Sequence, residues 1–111
     1  MLQVTDELLN AITDIIVREV SPRKVILFGS HARGDARPDS DLDFLVVEDG
    51  PFNAQRSRRA EMTRMWKVLF DYQIPIDLLV FTPEEIEKWK TSNNHVIAHA
   101  LKDGKVLYES H

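Results

Sequence analysis

The sequence predicts an α/β fold of the α+β kind, a small mixed β-sheet flanked by helices, and three observations carry that expectation. Segments with helical and strand periodicity alternate along the chain. Two of the strand candidates interleave aspartates with apolar residues, so each has one face that differs from the other. The links between strand candidates also differ in length. Only about a dozen residues join the first to the second, barely enough for a parallel crossover, whereas the stretch to the third is ample. A sheet with both parallel and antiparallel pairs follows.

From Thr5 to Val20 the apolar residues Leu8, Ile12, Ile15, Ile16 and Val20 recur at three- and four-residue steps, the pattern of an amphipathic helix. Thr5 suits its N-cap, and Asp6 and Glu7 suit the first turn, where the helix dipole favours negative charge. "SPR" breaks this helix, and "KVILFGS" follows as a short, buried, β-branched strand ending in Gly29-Ser30. Residues Asp41 to Glu48 form the second strand, an aliphatic and aromatic run bounded by the turn formers of "RPDS" and "DGPFN". Asn53 to Tyr72 reads as helix, with Met62, Met65, Trp66, Leu69 and Phe70 as its core stripe.

"IPIDLLVF" is the third strand. Pro75 fits its start, Ile76, Leu78 and Val80 share one face, and Asp77, Leu79 and Phe81 share the other. Thr82 then opens a helix as N-cap, with Pro83 in the first helical position and Glu85 completing a capping box. A last helix runs roughly from His95 to Lys102, and "DGKVLYE" gives a turn and a short terminal strand. No repeat, low-complexity tract or linker divides the chain, so one domain over residues 1–111 is expected.

Composition narrows the function. The 111 residues are 43% hydrophobic, enough for one ordinary core. A net charge of -4 would repel a phosphate backbone, which argues against general nucleic-acid binding. With no cysteine there is no disulfide, thiolate metal site or cysteine nucleophile, and the absence fits a reducing, cytoplasmic compartment. The N-terminal stretch lacks a basic n-region and no apolar run approaches roughly 18 residues, so neither secretion nor membrane insertion is expected.

The chemistry lies in "LFGSHARGDARPDSDLDFLVV". On a strand Asp41 and Asp43 project from one face with Leu45 and Val47, and Asp77 of the third strand joins them if the register permits. Carboxylates gathered in this way raise one another's pKa unless a cation neutralises them, and Mg²⁺, which takes few carboxylates plus waters and substrate phosphates, is the simplest choice. Gly29 permits close backbone approach and Ser30 adds a hydroxyl donor, together a cradle for phosphate. It is no P-loop, because Asp35-Ala36 stand where lysine and a hydroxyl residue are needed.

Gly-Ser, ten residues, then Asp-x-Asp resembles the signature of the polymerase-β-like nucleotidyltransferase superfamily. Within it, "FGSHARGDARPDSDLDFLVV" is similar to the minimal nucleotidyltransferases, including the antitoxin-type proteins paired with HEPN-domain toxins. The resemblance spans nearly the whole chain and implies that Asp41, Asp43 and Asp77 are the catalytic, metal-binding acids. It implies that Gly29 and Ser30, with Arg33 beside them, hold the nucleotide. The implied reaction transfers NMP, AMP from ATP being the expected case, to a hydroxyl of a partner protein with two Mg²⁺ ions assisting, and Asp77 as base. A non-catalytic antitoxin that neutralises its partner by contact, and an NTP-binding regulator, are the alternatives.

Other residues admit plainer readings. Arg58 and Arg59 could reach phosphate or an acidic partner, or stand solvated. His95 and His99 have the spacing of zinc ligands, but Val96 replaces the glutamate of a zincin, which favours a structural or partner-facing role. Trp66 and Trp89 read as packing residues.

Overall fold

The computed structural model describes residues 4–110; Met1 to Gln3 and His111, the ends of the expected 1–111 domain, lie outside the described residues. The chain begins with α1 (Asp6–Val20), which Thr5 caps by accepting the amide of Leu8 at 3.1 Å. After it come β1 (Lys24–Phe28), a single turn of helix α2 (Ser30–Arg33) and β2 (Leu42–Val47). Helix α3 (Arg58–Leu69) runs into a 3₁₀ turn at Phe70–Tyr72, and β3 (Ile76–Phe81), α4 (Pro83–Trp89), α5 (Val96–Asp103) and β4 (Lys105–Glu109) complete the order.

The strands form one mixed sheet in the order β3-β2-β1-β4, with β1 antiparallel to both neighbours and β2 parallel to β3. The short β1–β2 link indeed permits only the antiparallel pair, and α3 makes the crossover between the parallel strands. On one face α1 and α3 cover Val25, Leu27, Leu42, Phe44, Val46, Leu78 and Val80. On the other, Ile26, Leu45 and Val47 pack against Ala100 of α5 and Ile86 of α4. Among the described residues no helix is long and apolar enough to cross a membrane.

The start of α4 follows its sequence signals closely: Thr82 and Glu85 exchange the two hydrogen bonds of a capping box, at 3.2 and 2.9 Å. Two expectations for the preceding helix need correction. It begins at Arg58, because Asn53 Oδ1 accepts the amides of Gln55 and Arg56 and holds that segment in a turn. Its buried line is also rotated from the expected stripe, with Glu61, Met65 and Leu69 inward while Trp66 is 47% and Phe70 81% exposed.

The inward-facing Glu61 meets another buried acid. Glu48, at the end of β2, is 1% exposed, and Glu61 of α3 comes against it. Arg56 donates to Glu48 Oε1 at 3.1 Å and Arg64 to Glu61 Oε2 at 3.1 Å. Among the described residues Glu48 Oε2 is buried with no other partner, so a proton on it, donated to Glu61, satisfies both carboxyl groups. Burial, that hydrogen bond and the charge of Glu61 push the Glu48 carboxyl up to about 8. Burial also works against charge on Glu61, but the hydrogen bonds from Glu48 and Arg64 and the nearby guanidinium groups outweigh it and hold that carboxyl low. The pair thus keeps one proton and one charge at neutral pH.

Arg58 is part-exposed but engaged, whereas Arg59 is exposed. Arg58 donates to Glu85 Oε2 at 2.7 Å and lies over the rings of Phe52 and Phe81, tying the loop after β2 to the start of α4.

The Glu48 proton makes stability depend on pH in a definite direction. Unfolded Glu48 loses its proton near 4.5 and folded Glu48 near 8, so between these values the folded state binds more protons and stability falls as pH rises. Denaturant titrations should register a loss approaching 1.4 kcal/mol per pH unit across that window at most, by about the free energy of one proton per unit. Glu48→Gln, which can still donate to Glu61, should flatten the slope and be the more stable protein at pH 9. Parallel slopes for the two proteins would refute the shared proton.

Candidate active site

One end of the sheet collects the residues singled out in the sequence. β1 arrives there at its C-terminus, whereas β2 and β3 both begin there. The antiparallel register sets Phe28 opposite Asp43, and the parallel register sets Asp43 beside Asp77. Strand alternation turns Asp43 to the same side as Leu45 and Val47, the α4/α5 side of the sheet. Asp41 stands one residue before β2 and is exposed, with its position held by the following amide of Leu42, which donates to Pro75 O at 2.9 Å.

Directly after Phe28 the chain turns through Gly29, whose φ of 76° is open to glycine at little cost. A side chain there would also collide with Asp43 Oδ2. The Gly29 carbonyl accepts the amides of Ala32 and Arg33 at 3.1 and 3.0 Å, closing α2, and Ser30 is the first residue of that turn. Gly34, at φ 85°, ends it. Gly29 therefore lies against Asp43, with Ser30 next in the chain, for a reason of backbone geometry: the turn can pass so close only because its first residue lacks a Cβ.

The electrostatics are those of crowded acids. Burial, then the charges of Asp77 and Asp41, raise the Asp43 carboxyl above its ordinary range, and His31 and Arg33 only partly offset them. Arg33 bonds Asp35 at 3.3 Å and reaches Asp103 of α5 at 3.9 Å. It stays largely exposed, near the acids without pairing to one of them.

Among the described residues no three His, Cys, Asp or Glu side chains close into a metal cage of their own. This is compatible with Mg²⁺, which commonly takes one or two carboxylates and completes its octahedron with water and substrate phosphate oxygens. Asp43, half-buried and pressed by two like charges, fits that cation, and the hydroxyl and backbone of Gly29-Ser30 beside it fit a phosphate.

The two histidines with zinc-like spacing do not converge. His95 caps α5 by accepting the Ile97 amide on Nδ1 at 3.0 Å and stacks on Trp89 with centroids 4.6 Å apart, while His99 is exposed. Sequence reasoning passed over two features near the ends of β2, His31 with its bond to Ser40 and the Glu48–Glu61 pair. Glu61 was detectable in principle, since it stands at i, i+4, i+8 spacing with Met65 and Leu69.

Comparison with known proteins agrees with this architecture. Residues 9–107 match the nucleotidyltransferase domain family, and the chain belongs to it. A protein of Methanocaldococcus jannaschii, named provisionally as a protein adenylyltransferase, is 35% identical over 89 residues, 78% of each chain. A crystal structure from Sulfolobus solfataricus, named provisionally as a nucleotidyltransferase, superposes with a TM-score of 0.62 at 23% identity, covering 93% of this chain and 78% of that one. A toxin–antitoxin structure with AMP-PNP superposes with a TM-score of 0.59 at 19% identity over 91% of this chain and 73% of that one.

The contact between Gly29 and Asp43 is open to test by stability. Gly29→Ala should cost about 1–3 kcal/mol, from positive-φ strain together with the clash on the carboxylate. In an Asp43→Ala background, where the clashing oxygen is gone, the same change should cost clearly less. Equal costs in the two backgrounds, measured by denaturant unfolding, would mean that the side chains do not meet.

Proposed function

We propose that this protein is a Mg²⁺-dependent protein adenylyltransferase acting as an antitoxin: it transfers AMP from ATP to a hydroxyl of a partner, a HEPN-type toxin, in the cytoplasm. The observation that carries the reading is the register pairing of Asp43 with Asp77, with the Gly29 turn packed directly against Asp43, which brings two acids to the glycine-serine turn. Further support comes from the adenylyltransferase name of the 35% identical relative and from the toxin–antitoxin context and AMP-PNP of a structural neighbour. The lack of cysteine is consistent with the proposed compartment.

In this mechanism Ser30 and the backbone of the Gly29 turn hold the triphosphate, with Arg33 contributing positive charge at the rim. Asp41, Asp43 and Asp77 are the metal-binding acids. These acids would hold Mg²⁺, which would supply neutralisation of the negative charge that develops during transfer. The acceptor hydroxyl attacks the α-phosphorus in line, the bond from that phosphorus to the β-phosphate oxygen breaks, and pyrophosphate departs. Asp77, exposed at the edge strand where an acceptor can approach, takes the hydroxyl proton. Positioning and electrostatics supply most of the rate in phosphoryl transfer, so a small rigid sheet end suffices for the chemistry.

Asp43→Asn separates a metal-binding acid from a structural one. Burial and the neighbouring acids disfavour charge on Asp43, so the neutral variant without ligand should melt no lower than the parent. The parent should gain about 2.7 kcal/mol at a Mg²⁺·ATP concentration 100 times the dissociation constant. The variant should lose most of that gain and all transfer of labelled AMP to the partner. A variant that melts lower yet keeps its Mg²⁺·ATP stabilisation would overturn the reading.

A further inference from the structure

His31 is the second residue of α2, immediately after Ser30, and its half-buried ring extends away from the helix toward the polar loop that leads into β2. Its Nε2 lies 3.3 Å from the backbone oxygen of Ser40. A carbonyl oxygen can only accept, so Nε2 carries the hydrogen and donates it. Ser40 is itself tightly placed, because its hydroxyl accepts the Arg37 amide at 2.8 Å and its own amide donates to Arg37 O at 3.0 Å. The next residue is Asp41, which has no strand ladder to hold it, and the one after, Leu42, donates to Pro75 O at 2.9 Å.

The backbone around Asp41 is therefore pinned from both sides, by the carbonyl before it and the amide after it. The bond on the later side belongs to the sheet. The bond on the earlier side comes from one imidazole on the helix that follows Gly29-Ser30. We infer that His31 is a positioning residue, which holds the Ser40 carbonyl and thereby sets Asp41 in place beside Asp43 and the Gly29-Ser30 turn. It links the two halves of the site, the helix end and the start of β2, without itself touching the nucleotide. This deepens the nucleotide-site assignment proposed above and rests on it for its effect on binding, though not for its effect on the loop.

Two side chains separate reach from bulk. Glutamine can set an amide N–H where His31 has Nε2–H, whereas asparagine is polar but too short to do so. The experiment compares the parent with His31→Ala, His31→Gln and His31→Asn by amide hydrogen exchange at Ser40 and Leu42, the hydrogen-bonded amides on either side of Asp41, and by titration with Mg²⁺·ATP. His31→Ala should speed exchange at these amides and raise the Mg²⁺·ATP dissociation constant by about fivefold each, the worth of one neutral hydrogen bond. Its midpoint of thermal unfolding without ligand should fall by no more than about 4–8 °C, the shift that loss of one such bond makes in a domain of this size. His31→Gln should restore both readouts, and His31→Asn neither.

Unchanged exchange and affinity in His31→Ala would overturn the inference, as would restoration by asparagine equal to that by glutamine. Should His31→Ala fail to fold, the glutamine and asparagine variants provide the same contrast. If the parent itself shows no Mg²⁺·ATP binding, the nucleotide reading fails, while exchange at Ser40 and Leu42 still decides whether His31 holds the loop.

Discussion

A backbone turn that passes against a carboxylate is the constraint on which the rest of this structure depends. β1 ends opposite Asp43, and the chain must reverse there within one residue to enter α2. Only a residue with positive φ and no side chain can do this beside Asp43, and Gly29 is that residue. The turn brings the start of α2 to the acids, and α2 in turn carries His31 to the loop before β2. With this turn in place, the parallel register of β2 and β3 brings in Asp77.

Both ends of β2 gather carboxyl groups, and the two ends manage their charge differently. At the N-terminal end Asp41 and Asp77 remain exposed and Asp43 is half-buried, so their repulsion is left for water, Arg33 and, in the proposed reaction, a cation to relieve. At the other end Glu48 is buried completely, and water is not available. There the repulsion is removed within the protein, by a proton on Glu48 and by Arg56 and Arg64. Burial of a charge without such partners would be prohibitive, whereas exposed acids can tolerate one another until a ligand arrives. One strand thus has a stability site at one end and a candidate reaction site at the other.

Helix α3 buries a carboxyl group while nearby aromatic rings stay outside. Trp66 of the helix and Phe70 of the 3₁₀ turn after it would bury more apolar surface than Glu61. Glu61 nevertheless lies inward, with Glu48, Arg56 and Arg64 as its partners, and the two aromatic rings remain at the surface beside Gln73, Ile74 and Pro75. Arg58 follows the same logic on a smaller scale, since Glu85 and two phenylalanine rings occupy a guanidinium that the sequence leaves uncommitted.

The amino-acid sequence by itself determined what depends on neighbours along the chain. Helix and strand periodicity, the capping box at Thr82, the short β1–β2 link and the Gly-Ser to Asp-x-Asp spacing are local, and they sufficed for the element order, the mixed sheet and the nucleotidyltransferase resemblance. Tertiary structure decided what depends on register and rotation. The β2–β3 register brings Asp77 level with Asp43, the rotation of α3 sets Glu61 inside and Trp66 outside, and the bond from His31 to Ser40 joins residues nine positions apart across the end of α2 and an irregular loop. No periodicity encodes these contacts, because each is settled by the free energy of burying and pairing groups distant in the chain, where a one-residue slip of a strand or a partial turn of a helix exchanges what is buried for what is exposed.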